Sequence, residues 1–291
     1  MRCMHYILRL LPSSIAQPIS ASMHDVEFEV EEIRLRIGRP IILRGEGKEK
    51  ILSQSITAND ISYLIGNATD CTFHSASKTL KEGYIPLRYG ARMGVCGYGN
   101  SCDGFLSDLR DVCSVCIRLA AEHIGCANAL CDTLYTKGFV STIIISPPGY
   151  GKTTLLRDVI RNLSNSGYYV GVADERGELS GSRDPLGGFD LGLRNDLLVG
   201  TKKSKAATMM IRTMSPNVIA MDELTSEEDI LSIMEAVGCG VGLLSTVHGN
   251  DRSVLDKPIF RSLIEARAFE KAIIIEMNDG KRSYKTIDLY D

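Results

Sequence analysis

The sequence predicts an α/β protein: a domain with a mainly parallel sheet over residues 138–291, preceded by a smaller α+β domain over residues 1–137. The length of 291 residues allows one large domain or two modest ones. Hydrophobic residues make up 44% of the chain and charged residues 24%, which is ordinary for a globular protein that can build a core. Near residue 138, short alternating patterns give way to the order strand, glycine loop, helix, strand, which is typical of βαβ units.

The first domain is predicted from short β and helical patterns. Residues Glu32–Arg36 alternate between charged and apolar side chains, and a glycine and a proline lead from them into a second apolar run at 41–43, which indicates a hairpin. The same signals predict a second hairpin, 84–88 with 91–96, and helices over 57–65 and 76–81.

Charge and hydropathy argue against two classes of interaction. The formal net charge of -3 argues against a strongly basic nucleic-acid binder, although a local basic patch could exist, and nucleic acid is not expected as a partner. No apolar stretch approaches the roughly 18–20 residues that a membrane-spanning helix needs. Residues 1–11 are interpreted as a short amphipathic helix rather than a signal peptide, because Arg9 interrupts their apolar run.

The nine cysteines form no regular framework, so we expect a reducing compartment, the cytoplasm. Cys113 and Cys116 lie on a predicted strand, where positions three apart face opposite sides of the sheet. Since no second pair completes a set of four ligands, a zinc site is not expected.

The second domain is predicted to alternate strands and helices. Strands are predicted over 140–145, 169–173, Val218–Met221, 242–246 and 272–276, and helices over 152–163, 205–214 and 226–236. The glycine-rich residues 177–200 are predicted to form a long irregular loop, and loops of this length in α/β domains are usually functional or mobile.

A phosphate-binding loop, the Walker A motif, is predicted where the first of these strands meets the first helix. Backbone N–H groups at the start of such a helix can bind the phosphates of ATP, Lys152 adds a cation, and the Thr153 hydroxyl can bind Mg²⁺. The motif asks for glycine at its first position, where this chain has Ser146. The predicted nucleotide-binding residues are Ser146, Pro147, Pro148, Gly149, Tyr150, Gly151, Lys152, Thr153 and Thr154.

Two carboxylates follow the strand Val218–Met221, as in a Walker B motif. Asp222 is predicted to hold Mg²⁺ together with Thr153, and Glu223 is predicted to orient and deprotonate an attacking water. Glu175, which follows the predicted strand 169–173, is an alternative for this base.

Polar residues also lie at and just after the end of the strand predicted at 242–246. Thr246 and His248 emerge there from an apolar run, which is a suitable place to sense the γ-phosphate. Arg176 could contact phosphate or another subunit, or belong to a surface ion pair. A basic cluster either is solvated or contacts nucleotide or a partner: Arg194, Lys202, Lys203 and Lys205.

These motifs resemble those of the stage III sporulation protein AA family. The resemblance covers most of the chain and is carried by residues 32–40, 90–97, 148–154, 174–178, 211–223 and 244–249. That family is similar to the ATPases of type II and type IV secretion machines, which carry an arginine before Walker B and a Thr-x-His sequence. By this match, Arg212 corresponds to the arginine, and Thr246 and His248 correspond to the histidine box.

The resemblance implies a RecA-like, hexameric ATPase that uses ATP and Mg²⁺ in the mother-cell cytoplasm. It also implies that membrane proteins of a channel complex between mother cell and forespore are its partners. Two alternatives stay open: a nucleotide-gated assembly scaffold with little hydrolysis, and a nucleic-acid-dependent motor. The pair Asp222 and Glu223 argues against the scaffold, while the acidic balance and the lack of tryptophan argue against the motor.

Overall fold

A computed structural model describes residues 2–69, 83–102, 105–120, 122–135, 138–181, 188–278 and 281–290. The helices are α1 (Arg2–Leu10), α2 (Ser13–Ser22), α3 (Ala58–Ala68), α4 (Asn128–Tyr135), α5 (Lys152–Asn165), α6 (Lys203–Met214), α7 (Glu227–Gly238) and α8 (Arg261–Glu265), with 3-10 turns at Met23–Asp25, Arg252–Asp256 and Pro258–Phe260. The strands are β1 (Glu32–Arg36), β2 (Pro40–Gly45), β3 (Lys48–Ser55), β4 (Tyr84–Pro86), β5 (Arg92–Cys102), β6 (Phe105–Arg118), β7 (Thr142–Ser146), β8 (Val170–Asp174), β9 (Asn195–Val199), β10 (Val218–Met221), β11 (Gly242–His248), β12 (Lys271–Asn278) and β13 (Lys281–Asp288).

The chain forms two compact units that meet in sequence between Ala121 and Glu122. The sequence places the boundary later, between residues 137 and 138. Residues 122–135 fall in the second unit because helix α4 buries its apolar side chains in a cluster that also contains the apolar face of α5. No helix among the described residues is both long enough and apolar enough to cross a membrane.

The first unit contains a six-stranded antiparallel sheet in the order β3-β2-β1-β6-β5-β4. Both predicted hairpins are confirmed, as β1 with β2 and β4 with β5. The alternating residues Ile33 and Leu35 of β1 are buried, as the period of a half-buried strand requires. The predicted helix at 57–65 is α3, which Thr57 and Asp60 cap reciprocally. The helix predicted at 76–81 lies outside the described residues.

The second unit contains a seven-stranded sheet in the order β13-β12-β7-β11-β10-β8-β9. Neighbouring strands from β12 to β9 are parallel, and β13 pairs antiparallel with β12. Every residue of β7, β8 and β10 is buried, which explains why these strands are continuous apolar runs in the sequence. The mainly parallel α/β class is therefore confirmed.

The five strands predicted in this unit are all present, and β10 has the predicted bounds. The prediction of an irregular loop over 177–200 is wrong at its end, because residues Asn195–Val199 form β9 and pair in parallel with β8. The edge strand β13 was not predicted, since its charged and polar residues look like a solvated segment.

Candidate functional site

Parallel pairing brings the candidate residues to one edge of the second sheet. Strands β7, β8, β10 and β11 all run in the same direction, so their carboxyl ends lie at the same edge. The register pairs Ser146 with His248 across β7 and β11, and Met221 with Ser245 across β10 and β11. Ligands bind at this edge in open α/β sheets, so it is the expected place for a site.

The loop that follows β7 contains two glycines in the left-handed region just before helix α5. Gly149 and Gly151 have φ values of 80° and 92°, in the left-handed region that glycine adopts without strain, and Gly151 is the N-cap of α5. Ser146 is fully buried as the last residue of β7, and its hydroxyl donates to the Pro147 carbonyl over 3.0 Å. Since Ser146 has strand geometry, the departure from glycine requires no left-handed backbone there.

Lys152 is buried among acceptors at the start of α5, with 7% of its surface exposed. Its Nζ donates to the carbonyls of Ser146 (3.2 Å) and Pro147 (3.3 Å), and lies 2.7 Å from Nδ1 of His248. Burial lowers the pKa of Lys152, while the charges of Glu223 and Asp222 act in the opposite direction.

Thr153 and Asp222 are joined by a direct hydrogen bond. The Thr153 hydroxyl donates to Oδ2 of Asp222 over 3.0 Å, and the Thr246 hydroxyl donates to Oδ1 over 2.8 Å. Thr246 is fully buried, so it acts on the site by orienting the carboxylate. A hydroxyl and a carboxylate held together in this way are oxygen ligands of the type that Mg²⁺ prefers.

Glu223 is held in an uncommon backbone conformation with φ of 24°. Its N–H donates to the Thr246 hydroxyl (2.9 Å) and to Oδ1 of Asp222 (3.0 Å), and the next N–H, of Leu224, donates to the Thr246 carbonyl. These bonds fix where the Glu223 side chain leaves the backbone.

His248 connects the lysine to this glutamate. Its Nε2 lies 3.1 Å from Oε1 of Glu223, while its Nδ1 faces Nζ of Lys152. Because a protonated lysine can only donate, Nδ1 must accept and Nε2 must carry the proton that is donated to Glu223. The result is an ordered chain of contacts from Lys152 through His248 to Glu223.

A cavity of ≈ 570 Å³ lies beside the carboxylates of Asp222 and Glu223. Glu175 and Glu223 both line it, so both candidate bases face the same space. Glu175 is exposed and accepts from the backbone N–H of Lys203 over 3.4 Å, whereas Glu223 contacts His248. Asp174, just before Glu175, closes a turn by accepting from the N–H of Glu178 and from the N–H and hydroxyl of Ser180.

The structure does not bring Arg212 to this edge. It is 70% exposed on α6 and forms an ion pair with Glu235 of α7 over 2.9 Å. Helix α6 precedes β10 and runs back along the sheet, so its first residue lies at the carboxyl edge. Arg212 follows nine residues later, which is about 14 Å along the helix axis.

Lys203, at the start of the same helix, is the site residue whose role the sequence did not reveal. Its side chain is only 13% exposed, and its Nζ donates to the carbonyl of Glu223 and forms an ion pair with Asp229 over 3.2 Å. The only sequence signal was its membership of the basic cluster. Other members differ from it, since Lys202 forms an exposed ion pair with Glu228 and Arg194 donates to the Ser164 carbonyl.

The fold and the site together define a RecA-like α/β protein with a glycine-containing loop between strand and helix at the carboxyl edge of its parallel sheet. The family described as "Sporulation stage III, protein AA" matches residues 1–291. The chain is 34% identical to the stage III sporulation protein AA of Bacillus subtilis (strain 168) over 295 residues, which covers 99% of this chain and 95% of that protein. The chain therefore belongs to the sporulation stage III protein AA family, and the resemblance noted in the sequence is confirmed.

Solved structures of a pilus retraction motor and of an ATPase share the fold. The pilus retraction motor PilT, solved with bound ADP, superposes with a TM-score of 0.62 at 16% identity, covering 94% of this chain and 82% of that one. The ATPase DotB of Legionella pneumophila superposes with a TM-score of 0.54 at 14% identity, covering 92% and 80%. At such identities the likeness establishes the fold.

Proposed function

We propose that the protein is a Mg²⁺-dependent ATPase. The observation that carries the proposal is the chain of contacts from Lys152 through His248 to Glu223, next to the bonded pair Thr153 and Asp222. A cation, an oriented base and two magnesium-type oxygen ligands are what phosphoryl transfer requires, and here they share one sheet edge. The name of the related DotB, an ATPase of the same fold, also supports the proposal.

Each residue has a distinct part in the proposed reaction. The loop N–H groups and Lys152 bind the phosphates, and Thr153 and Asp222 would hold Mg²⁺, which supplies charge neutralisation on the phosphates. Glu223 accepts a proton from the attacking water, whose oxygen bonds to the γ-phosphorus as the bond to the bridging oxygen of ADP breaks. His248, donating to Glu223, keeps the carboxylate aimed at that water.

We infer further that the subunits assemble into a homo-oligomer, a hexamer, at a membrane-associated sporulation complex in the mother cell. Family membership and the shared fold with the pilus motor support this inference. In such an assembly, Arg212 and Arg176, which are exposed on each subunit, are available to a neighbouring subunit. The energy of hydrolysis would then rearrange membrane partner proteins.

The test is Mg²⁺-dependent ATP turnover of the full chain over a concentration series, with native mass recorded on the same samples. Lys152→Ala should abolish nucleotide binding, and Glu223→Gln should retain binding but lose turnover by about 10²- to 10⁴-fold, the usual contribution of a positioned base. Exposed residues of like charge to which no role is assigned, Lys257→Ala and Glu265→Gln, are the matched controls and should behave as the wild type. Unchanged turnover in Lys152→Ala would refute the phosphate-loop assignment, and ATP binding without turnover in the wild type would favour the scaffold.

A further inference from the structure

A second cation lies against the phosphate-binding loop and belongs to the edge hairpin. Strand β12 runs parallel to β7, so it ends at the same sheet edge as the loop, and β13 begins there and turns back. Arg282, near the start of β13 and paired in register with Met277, therefore lies at that edge.

The guanidinium of Arg282 packs on Gly151, the N-cap of α5. From the position that a Cβ on Gly151 would occupy, Cζ of Arg282 is 3.1 Å away, Nε 3.3 Å and Nη1 3.4 Å. A Cβ at residue 151 would therefore press on the guanidinium where it now lies and would require Arg282 to shift by a few tenths of an ångström. Glycine at this position permits both the left-handed backbone and the close approach of the arginine.

The charge of Arg282 has no counter-ion in the part of the chain that the structure describes. Its side chain is exposed, and no carboxylate among the described residues pairs with it. Its neighbours Cys126 and Tyr284 are neutral at neutral pH, since burial raises the pKa of the Cys126 thiol to about 11 and raises that of the Tyr284 hydroxyl. Arg212 is different, because Glu235 neutralises it.

Lys152 and Arg282 also differ in how free they are to bind an anion. Lys152 already donates to two loop carbonyls and faces His248. Arg282 offers its fork of N–H donors beside the start of a 14-residue helix, where backbone N–H groups and the helix dipole favour negative charge. A guanidinium is suited to bind two phosphate oxygens at once.

We propose that Arg282 is a phosphate-binding residue, which contacts the phosphate chain of the nucleotide from the hairpin side of the loop in its own subunit. The proposal rests on the nucleotide binding proposed above. By this proposal, strand β13 contributes a phosphate-binding side chain to substrate recognition, in addition to the residues that the parallel strands supply.

The test compares the affinity of the full chain for ADP and for adenosine by titration calorimetry. Arg282→Ala should weaken ADP binding by about 10- to 100-fold, the fold-change that corresponds to one lost hydrogen bond to a charged group, and leave adenosine binding unchanged. Arg282→Lys should retain part of the ADP affinity. Lys281→Ala removes a neighbouring exposed cation that points to the other face of the strand and should bind like the wild type.

The outcomes separate this proposal from the proposed function. If the wild type binds ADP and Arg282→Ala binds it equally well, the role of Arg282 is overturned while the ATPase proposal stands. An equal loss of ADP and adenosine affinity would assign Arg282 to the base rather than the phosphates and would also overturn the proposal. A wild type that binds no ADP would overturn both. Because Arg282 is exposed, a circular dichroism melting curve that matches the wild type should accompany each variant.

Discussion

Replacement of Asp229 by alanine should destabilise the second unit by about 3–5 kcal/mol, the usual cost of breaking a buried ion pair from one side. Asp229 is 3% exposed, and its Oδ2 accepts from the N–H groups of Thr225 (3.0 Å) and Ser226 (3.1 Å) and pairs with Lys203 (3.2 Å). The alanine variant loses the carboxylate half of the capping box of α7, while the N-cap Ser226 still accepts from the N–H of residue 229. It also leaves the nearly buried cation of Lys203 without its carboxylate.

Removal of the other partner should cost less. In Lys203→Met, Asp229 keeps its two backbone N–H donors, so we expect a loss of about 1–3 kcal/mol. The double variant should cost less than the sum of the two single variants, with a coupling energy of about 0.5–3 kcal/mol. Lys202→Met is the matched control: its ion pair with Glu228 is exposed on both sides and should contribute about 1 kcal/mol or less.

The chain has no tryptophan, so urea unfolding is best followed by far-UV circular dichroism, with hydrogen exchange of the α7 amides as the local readout. The reasoning is refuted if the free energy of unfolding of Asp229→Ala lies within about 1 kcal/mol of the wild-type value, since leaving the Lys203 cation unpaired should cost more than that. Strict additivity of the two single variants would show that the pair is not coupled.

Three further predictions concern other parts of the chain. Burial acts to raise the pKa of Asp158, but hydrogen bonds from Arg161 and two backbone N–H groups outweigh burial, so the pKa is lowered. The stability that Asp158 contributes is therefore present above the ordinary carboxyl pKa and is lost as the pH falls through the lowered pKa. Asp158→Asn should flatten this loss of stability at acid pH when the free energy of unfolding is measured by urea titration. Gly242→Ala would place a methyl group 2.6 Å from the Phe139 ring and should cost about 1–3 kcal/mol in the same assay; an unchanged midpoint would contradict the close packing. Thr57→Ala removes a helix cap in the first unit and should cost about 1 kcal/mol in thermal unfolding, with no effect on nucleotide affinity.

Much of the candidate site could be predicted because its residues lie where local patterns change. Lys152 and Thr153 stand at the junction of an apolar strand with a helix, and Asp222 follows an apolar strand directly. Strand ends are readable from hydropathy alone, and parallel strands share their carboxyl edge. The sequence thus indicated which residues lie at the same sheet edge. It did not indicate which side chains contact each other, such as Lys152 and His248.

Proximity in sequence was misleading for α6. Arg212 is closer in sequence to Asp222 and Glu223 than Lys203 is, yet Lys203 contacts Glu223 and Arg212 does not. The helix runs antiparallel to β10, which brings its first residue to the carboxyl edge and its last turn to the opposite edge. Hydropathy locates the helix, but only the packing of α6 against α7 shows that Lys203 finds a buried carboxylate at Asp229.

The hairpin at the sheet edge extends this argument to the proposed ligand. In a purely parallel sheet, residues reach the carboxyl edge only as strand ends or helix starts, and hydropathy marks both. Strand β13 reaches the edge at its beginning because it follows β12 through a turn, and its charged pattern resembles that of a solvated segment. Arg282 is thereby placed against Gly151 by a pairing that no local signal encodes. Lys152, the cation that the sequence reveals at the loop, is buried and already hydrogen-bonded. Arg282, the cation that the topology adds, is exposed and pairs with no carboxylate among the described residues, so it is free to bind an anion.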